Sequence, residues 1–150
     1  MSTAVSSTQA DATVIRELYA AFARGDLPSI LDRLDDEVSW DADWADNYAQ
    51  RGGCLDHFRP RHGPAGAAEF FAVLAGYTFH DFRVEAIIAA DPYVVARVAV
   101  DVTTPTGGRI RDEELHLWTF DTAGRIVAMR HYVDTAKHLA ASRGEDTTVT

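Results

Sequence analysis

The run EELHLWTFDTAGRIVAMRHYVDT, residues 113–135, constrains the fold more than any other part of the chain. With a period of two, Glu114, His116, Trp118 and Phe120 share one face of a strand, and Met129, His131 and Val133 share one face of a second. Between them, Asp121-Thr122-Ala123-Gly124 supplies the Gly and Asp that a short hairpin loop needs for positive φ and for side-chain to backbone bonding. The pairing aims two histidines and a tryptophan at one wall, and polar groups set among large apolar ones on a single face suggest a pocket. Leu115, Leu117, Thr119, Ile126 and Ala128 fall on the opposite faces, so the sheet is expected to be covered on one side and curved on the other.

Upstream, Val14, Ile15, Leu18, Tyr19 and Phe22 recur at helical spacing and predict a helix over 11–24, stopped by Gly25. Asp26 caps a short second helix with Pro28 in its first turn and Ile30, Leu31 and Leu34 on its buried side. Asp35-Asp36 reads as a turn into a short strand over 37–41. Residues 42–64 show no period and read as a long loop of the kind that often forms a lid. Its His57, Arg59, Arg61 and His62 read as solvated, with gating of a cavity as the alternative. A third helix is predicted over 66–77, then strands over 80–89, 93–103, 108–120 and 125–133, and a terminal helix capped by Asp134. The order implies an α+β domain over 11–141, with helices packed on one face of a curved antiparallel sheet to form a cone, and flexible tails at 1–10 and 142–150.

A chain of 150 residues with 47% hydrophobic content has the size of one domain and can bury a full core without staples. The net charge of −9 and a pI near 4.9 argue against nucleic acid or an anionic membrane surface as partner, which leaves a hydrophobic small molecule. Cys54 is the only cysteine, so neither an internal disulfide nor a cysteine zinc site can form. No apolar run approaches the roughly 20 residues that span a bilayer, and the first ten residues lack a signal-peptide pattern. A cytoplasmic location is expected.

A histidine titrates near pH 6.5 when unperturbed, so His131 and His116 in a cavity could take a proton from an acidic carbon or donate to a forming alkoxide. They could equally bond each other or Glu114 as plain structure. Glu114, His116 and His131 could in principle ligate a metal, but their spacing is no metal motif. Arg97 is a lone charge in YVVARVAV that needs a partner if buried, such as Asp101, Asp41 or Glu114, unless it faces substrate. Asp41 and Asp43 flank the end of a short strand, where a carboxylate could cap or could orient a histidine. Trp40, Phe70, Phe71, Trp118 and Met129 are the expected apolar lining, with Glu114 beside them or near the rim.

Three segments, LYAAFARGDLPSILDRLDDEVSW, GPAGAAEFFAVL and LHLWTFDTAGRIVAMRHYVDTA, resemble the NTF2-like superfamily in its SnoaL-like branch, which also holds ketosteroid isomerases, limonene-epoxide hydrolases and polyketide cyclases. The resemblance spans most of residues 14–139. It implies a cone-shaped fold with three to four helices enclosing a cavity, a homodimer, and chemistry without cofactor or metal. By position, His116 is similar to an oxyanion-donating aspartate of the isomerases. His131 matches a hydrolase aspartate, and Arg97 the arginine that bridges two hydrolase carboxylates. Leu18 stands at the isomerase tyrosine and Ala42 at its general base, with Asp41 or Asp43 available if the strand slips by one. Ala99 stands at the second hydrolase aspartate. The implied function is acid/base cyclisation or isomerisation next to a carbonyl, by His131 and His116, with Arg97 and Asp41 as further catalytic candidates. Epoxide hydrolase-like water addition and non-catalytic binding of a hydrophobic ligand are the alternatives.

Overall fold

The computed structural model describes residues 7–149. Helix α1, Ser7–Arg24, buries Ile15, Leu18 and Tyr19 and ends at Gly25, whose φ of +70° suits a residue without Cβ. It begins four residues earlier than the periodicity indicates, so residues 7–10 are helix rather than tail. Helix α2, Leu27–Leu31, has Pro28 in its first turn and the Asp26 carboxylate accepting from the Ser29 N–H at 3.3 Å.

Strand β1, Leu34–Trp40, starts earlier than the 37–41 expected, because Asp35 and Asp36 lie within the strand rather than in a turn before it. The aperiodic segment that follows contains two 3-10 turns, Tyr48–Gly53 and Asp56–Phe58, and a two-residue strand β2, Arg61–His62, paired antiparallel to the end of β1. Helix α3 covers Gly63–Leu74 rather than 66–77, with Pro64 in its first turn. Strands β3 (Thr78–Ala90), β4 (Tyr93–Thr103), β5 (Arg109–Phe120) and β6 (Ile126–Tyr132) follow, then helix α4, Thr135–Ser142, N-capped by Asp134 as expected.

The six strands form one open, curved sheet in the order β2-β1-β6-β5-β4-β3. It is mixed, since β1 runs parallel to β6 while every other pairing is antiparallel. Alternation on β4 sends Val94, Ala96, Val98 and Val100 inward and Tyr93 and Arg97 outward. The inner face packs on α1 and α3 around Ile15, Leu18, Leu34, Val38, Phe70 and Ile126. Each such large apolar side chain contributes about 1.5–3 kcal/mol on burial. The C-terminal residues depart from the expected flexible tail: Arg109 N–H donates to Glu145 O at 3.0 Å, and Thr147 N–H donates to Arg109 O at 2.9 Å. These are backbone bonds, which no side-chain pattern announces.

Candidate active site

Between the inner sheet face and helices α1 and α3 lies a cavity of about 80 Å³. That exceeds the roughly 10–15 Å³ one water needs. Trp40, Trp118 and Met129 from the sheet and Phe70 and Phe71 from α3 line it, as the sequence indicates. Glu114, His116 and His131 line it too, together with Tyr19, His57, Tyr77 and His138.

The end of β1 sets one half of the polar site. Trp40 pairs with Met129 in parallel register, and Asp41 N–H donates to Met129 O at 2.8 Å. Asp41 then turns left-handed, with φ of +50°. That conformation costs an L-residue about 1–2 kcal/mol, though Asp tolerates it better than most. It breaks the alternation of the strand, so Trp40, Asp41 and Ala42 are all buried. The Asp41 carboxylate, 1% exposed, accepts the His131 backbone N–H at 2.8 Å through Oδ1 and lies 2.7 Å from His131 Nδ1 through Oδ2. A carboxylate in this pair accepts, so Nδ1 carries the hydrogen, and in the neutral imidazole Nε2 carries the lone pair. Among the described residues, the hydrogen bonds of His131 run from its backbone N–H and Nδ1, both to Asp41, and none involves Nε2. Phe58 and Phe70 flank the ring, with centroids at 5.4 and 5.0 Å.

The other half is a relay. His116 stands directly opposite His131 across the β5–β6 ladder, with ring centroids 4.7 Å apart. Trp118 Nε1–H donates to Tyr19 Oη at 3.2 Å, and Tyr19 Oη lies 2.5 Å from His116 Nδ1. His116 Nε2 lies 3.2 Å from Glu114 Oε1. His138 Nδ1 meets His57 Nε2 at 3.2 Å, and His57 Nδ1 meets Tyr77 Oη at 2.9 Å. Between Glu114 and His138 the contact is an ion pair, Nε2 to Oε2 at 3.3 Å, with Asp112 Oδ2 at 3.8 Å. That Nε2 makes no hydrogen bond of proper angle.

Electrostatics fix the direction of this relay. Burial alone would raise the Glu114 carboxyl, but the hydrogen bond from His116 and the charge of the neighbouring His138 override it and hold the group well below the usual carboxylate range. Burial depresses His138, yet Asp112 and Glu114 together lift it to about 9. Burial, reinforced by the neighbouring His138 and His131, drops His57 to about 3. Burial also lowers His116 against the opposing pull of Glu114, and raises the Tyr19 phenol above its ordinary value. At neutral pH the carboxylate of Glu114 is therefore an acceptor only. His116 donates to it from Nε2, and its Nδ1 accepts the Tyr19 hydroxyl hydrogen. His57 accepts from His138 and donates to Tyr77.

Arg97 does not join the site. It lies on the outer face of β4, 44% exposed, and pairs with Glu85 at 3.4 Å. Asp101, Asp41 and Glu114 are not its partners; the period of two that buries Ala96 and Val98 turns Arg97 away. His57 departs from the solvated reading, since the 3-10 turn Asp56–Phe58 buries it against Tyr77 and His138. Its loop gives no period to reveal this. Tyr19 lay one residue from the position compared with the isomerase tyrosine and was legible only as an inner-face helix residue. His138 shares a buried α4 stripe with Ala141, an i,i+3 pair visible once Asp134 is taken as the cap.

A family model for the SnoaL-like domain matches residues 15–129. No curated protein matches the chain. Among solved structures, an NTF2-like protein of unknown function from Burkholderia pseudomallei K96243 is 24% identical over 88% of this chain and 96% of its own, with a TM-score of 0.70. TerC, co-crystallised with polyporic acid, is 23% identical over 89% and 98%, with a TM-score of 0.68. A candidate SnoaL-like polyketide cyclase from Jannaschia sp. CCS1 is 14% identical over 95% and 98%, with a TM-score of 0.69. At these identities the likeness speaks for the fold.

Proposed function

Because the chain belongs to the SnoaL-like family of NTF2-like proteins, we propose that its cavity performs acid/base chemistry next to a carbonyl on a hydrophobic small molecule, as cyclisation or isomerisation. The observation that carries this reading is the Asp41–His131 pair, which leaves an unengaged Nε2 lone pair among apolar rings. His131 removes the proton from the carbon beside the carbonyl, and Asp41 holds the ring and compensates the imidazolium that forms. The electrons move to the carbonyl oxygen, where the Tyr19 hydroxyl turns from His116 Nδ1 to donate to the oxyanion. His116, with both nitrogens engaged, positions Tyr19 rather than donating itself. Return of the proton from His131 to a different carbon of the conjugated enolate completes isomerisation; alternatively the enolate carbon attacks a second carbonyl of the same molecule and His131 gives its proton to the alkoxide so formed, which completes ring closure.

The apolar lining suits a flat conjugated ligand, in keeping with the polyporic acid co-crystallised with TerC. Water addition to an epoxide is the weaker reading, since Arg97, compared by sequence with a hydrolase arginine, faces away from the cavity. The test uses 2-tetralone, an apolar ketone, in deuterated buffer, with loss of the proton signal next to the carbonyl followed by NMR. The wild-type protein is expected to accelerate exchange over buffer and His131→Ala to abolish the acceleration; equal exchange by both proteins contradicts the proposal.

A further inference from the structure

We propose that Asp112, Glu114 and His138 form a binding site for a divalent first-row metal ion of the zinc class, at the α4 end of β5. Their ligand atoms all lie within 4.8 Å of one another. His138 Nε2 stands 3.3 Å from Glu114 Oε2 and 3.8 Å from Asp112 Oδ2. An ion bound at the usual 2.0–2.2 Å from each would separate its ligands by about 3.0–3.5 Å, which these atoms already approach.

A cluster of carboxylates alone would not define a site. The second observation is His138 itself: it is 4% exposed, and its Nε2, aimed at the two carboxylates, has no hydrogen bond of proper geometry. Its only contacts there are the poorly angled ion pairs with Glu114 and Asp112, and a dication in place of the Nε2 proton would satisfy all three groups at once. One imidazole with two carboxylates is a donor set that zinc and manganese accept, and two adjacent anions balance a dication.

The surrounding contacts orient each ligand. His138 Nδ1 is engaged by His57 Nε2 at 3.2 Å, which leaves Nε2 for the ion. Asp112 accepts the Glu113 and Asp134 backbone N–H groups at 2.9 and 3.1 Å. Lys137 Nζ, 3.6 Å from Asp112 Oδ1, is the competing cation, and it lies with Asp112 along a surface groove that offers a way in. Glu114 Oε1 meanwhile holds His116, so one carboxylate would link the ion to the cavity floor. The site does not depend on the acid/base reading, because its ligands exclude Asp41 and His131.

The test is calorimetric titration of chelator-treated protein with Zn²⁺, and a parallel titration with Co²⁺ followed by visible absorption. One equivalent of Zn²⁺ is expected, with Co²⁺ giving the d–d bands of a nitrogen- and oxygen-ligated ion. His138→Gln and Asp112→Asn should each weaken binding by at least about tenfold, with Asp112→Asn keeping the test alive should the histidine variant fail to fold. Asp101→Asn, on a carboxylate outside the cluster, should leave affinity unchanged. Absence of binding, or affinity that is the same in wild type and Asp112→Asn, overturns the proposal.

Discussion

His116 and His131 occupy paired positions on adjacent strands, face the same cavity and are both at least nine-tenths buried, yet their partners give them opposite capacities. His131 is held at Nδ1 by Asp41 and keeps Nε2 unengaged; His116 is closed at both ends by Tyr19 and Glu114. The ladder supplies the same position to both. The difference comes from elements far away in sequence, the left-handed end of β1 on one side and helix α1 on the other. In a cavity of this kind, the role of an imidazole follows from the partner brought to it rather than from its place in the strand.

The sharpest way to break the comparison is to remove each ring in turn. His131→Ala should lower catalysed exchange by about 10²–10⁴-fold, the usual contribution of one positioned acid/base group, as measured by the tetralone assay. His116→Phe should instead act first on stability. It leaves the buried Glu114 with one partner fewer and the Tyr19 hydroxyl hydrogen without its acceptor, though Trp118 still donates to the oxygen, at about 3–5 kcal/mol in urea unfolding. If His116→Phe were as stable as wild type but inactive, the two histidines would share the chemistry equally.

Tyr19→Phe sharpens the same contrast at a smaller scale. Loss of the hydroxyl that bridges Trp118 and His116 should cost about 1–2 kcal/mol of stability and lower exchange more than it weakens ligand binding. The smallest effect belongs to the surface. Hydrogen bonding and charge from Arg109 hold the Asp101 carboxyl below its ordinary value of 3.8. A carboxyl depressed in the folded state stabilises above its unfolded pKa, and that contribution is lost as pH falls through the folded value. Asp101→Asn should therefore cost less than about 1 kcal/mol at pH 7, and the difference from wild type should fade below pH 3.8 in thermal melts.

Much of the architecture was legible because it rests on side-chain periodicity. The hairpin register that sets His116 against His131 follows from alternation, and α1, α2 and α4 follow from apolar spacing and Asp caps. Where backbone conformation decides, the sequence is mute. Asp41 reaches the site through a positive φ that breaks alternation, so the sequence leaves Asp41, Ala42 and Asp43 as neighbouring options. Long-range approach is equally hidden. Tyr19, His57 and His138 come from a helix, a 3-10 turn and a second helix, each of which explains its residue locally as packing or loop. Arg97 shows the reverse error, since its charge drew attention that its strand face does not support.

Asp41 fixes His131 with a hydrogen on Nδ1, which leaves a bare, available Nε2 in the neutral ring. Long-range proton–nitrogen correlation NMR on protein labelled with ¹⁵N-histidine reads this directly at neutral pH. The expected His131 signals are those of a protonated Nδ1 and an unprotonated Nε2, both shifting in Asp41→Asn; a hydrogen resident on Nε2 in the wild-type protein would contradict this arrangement.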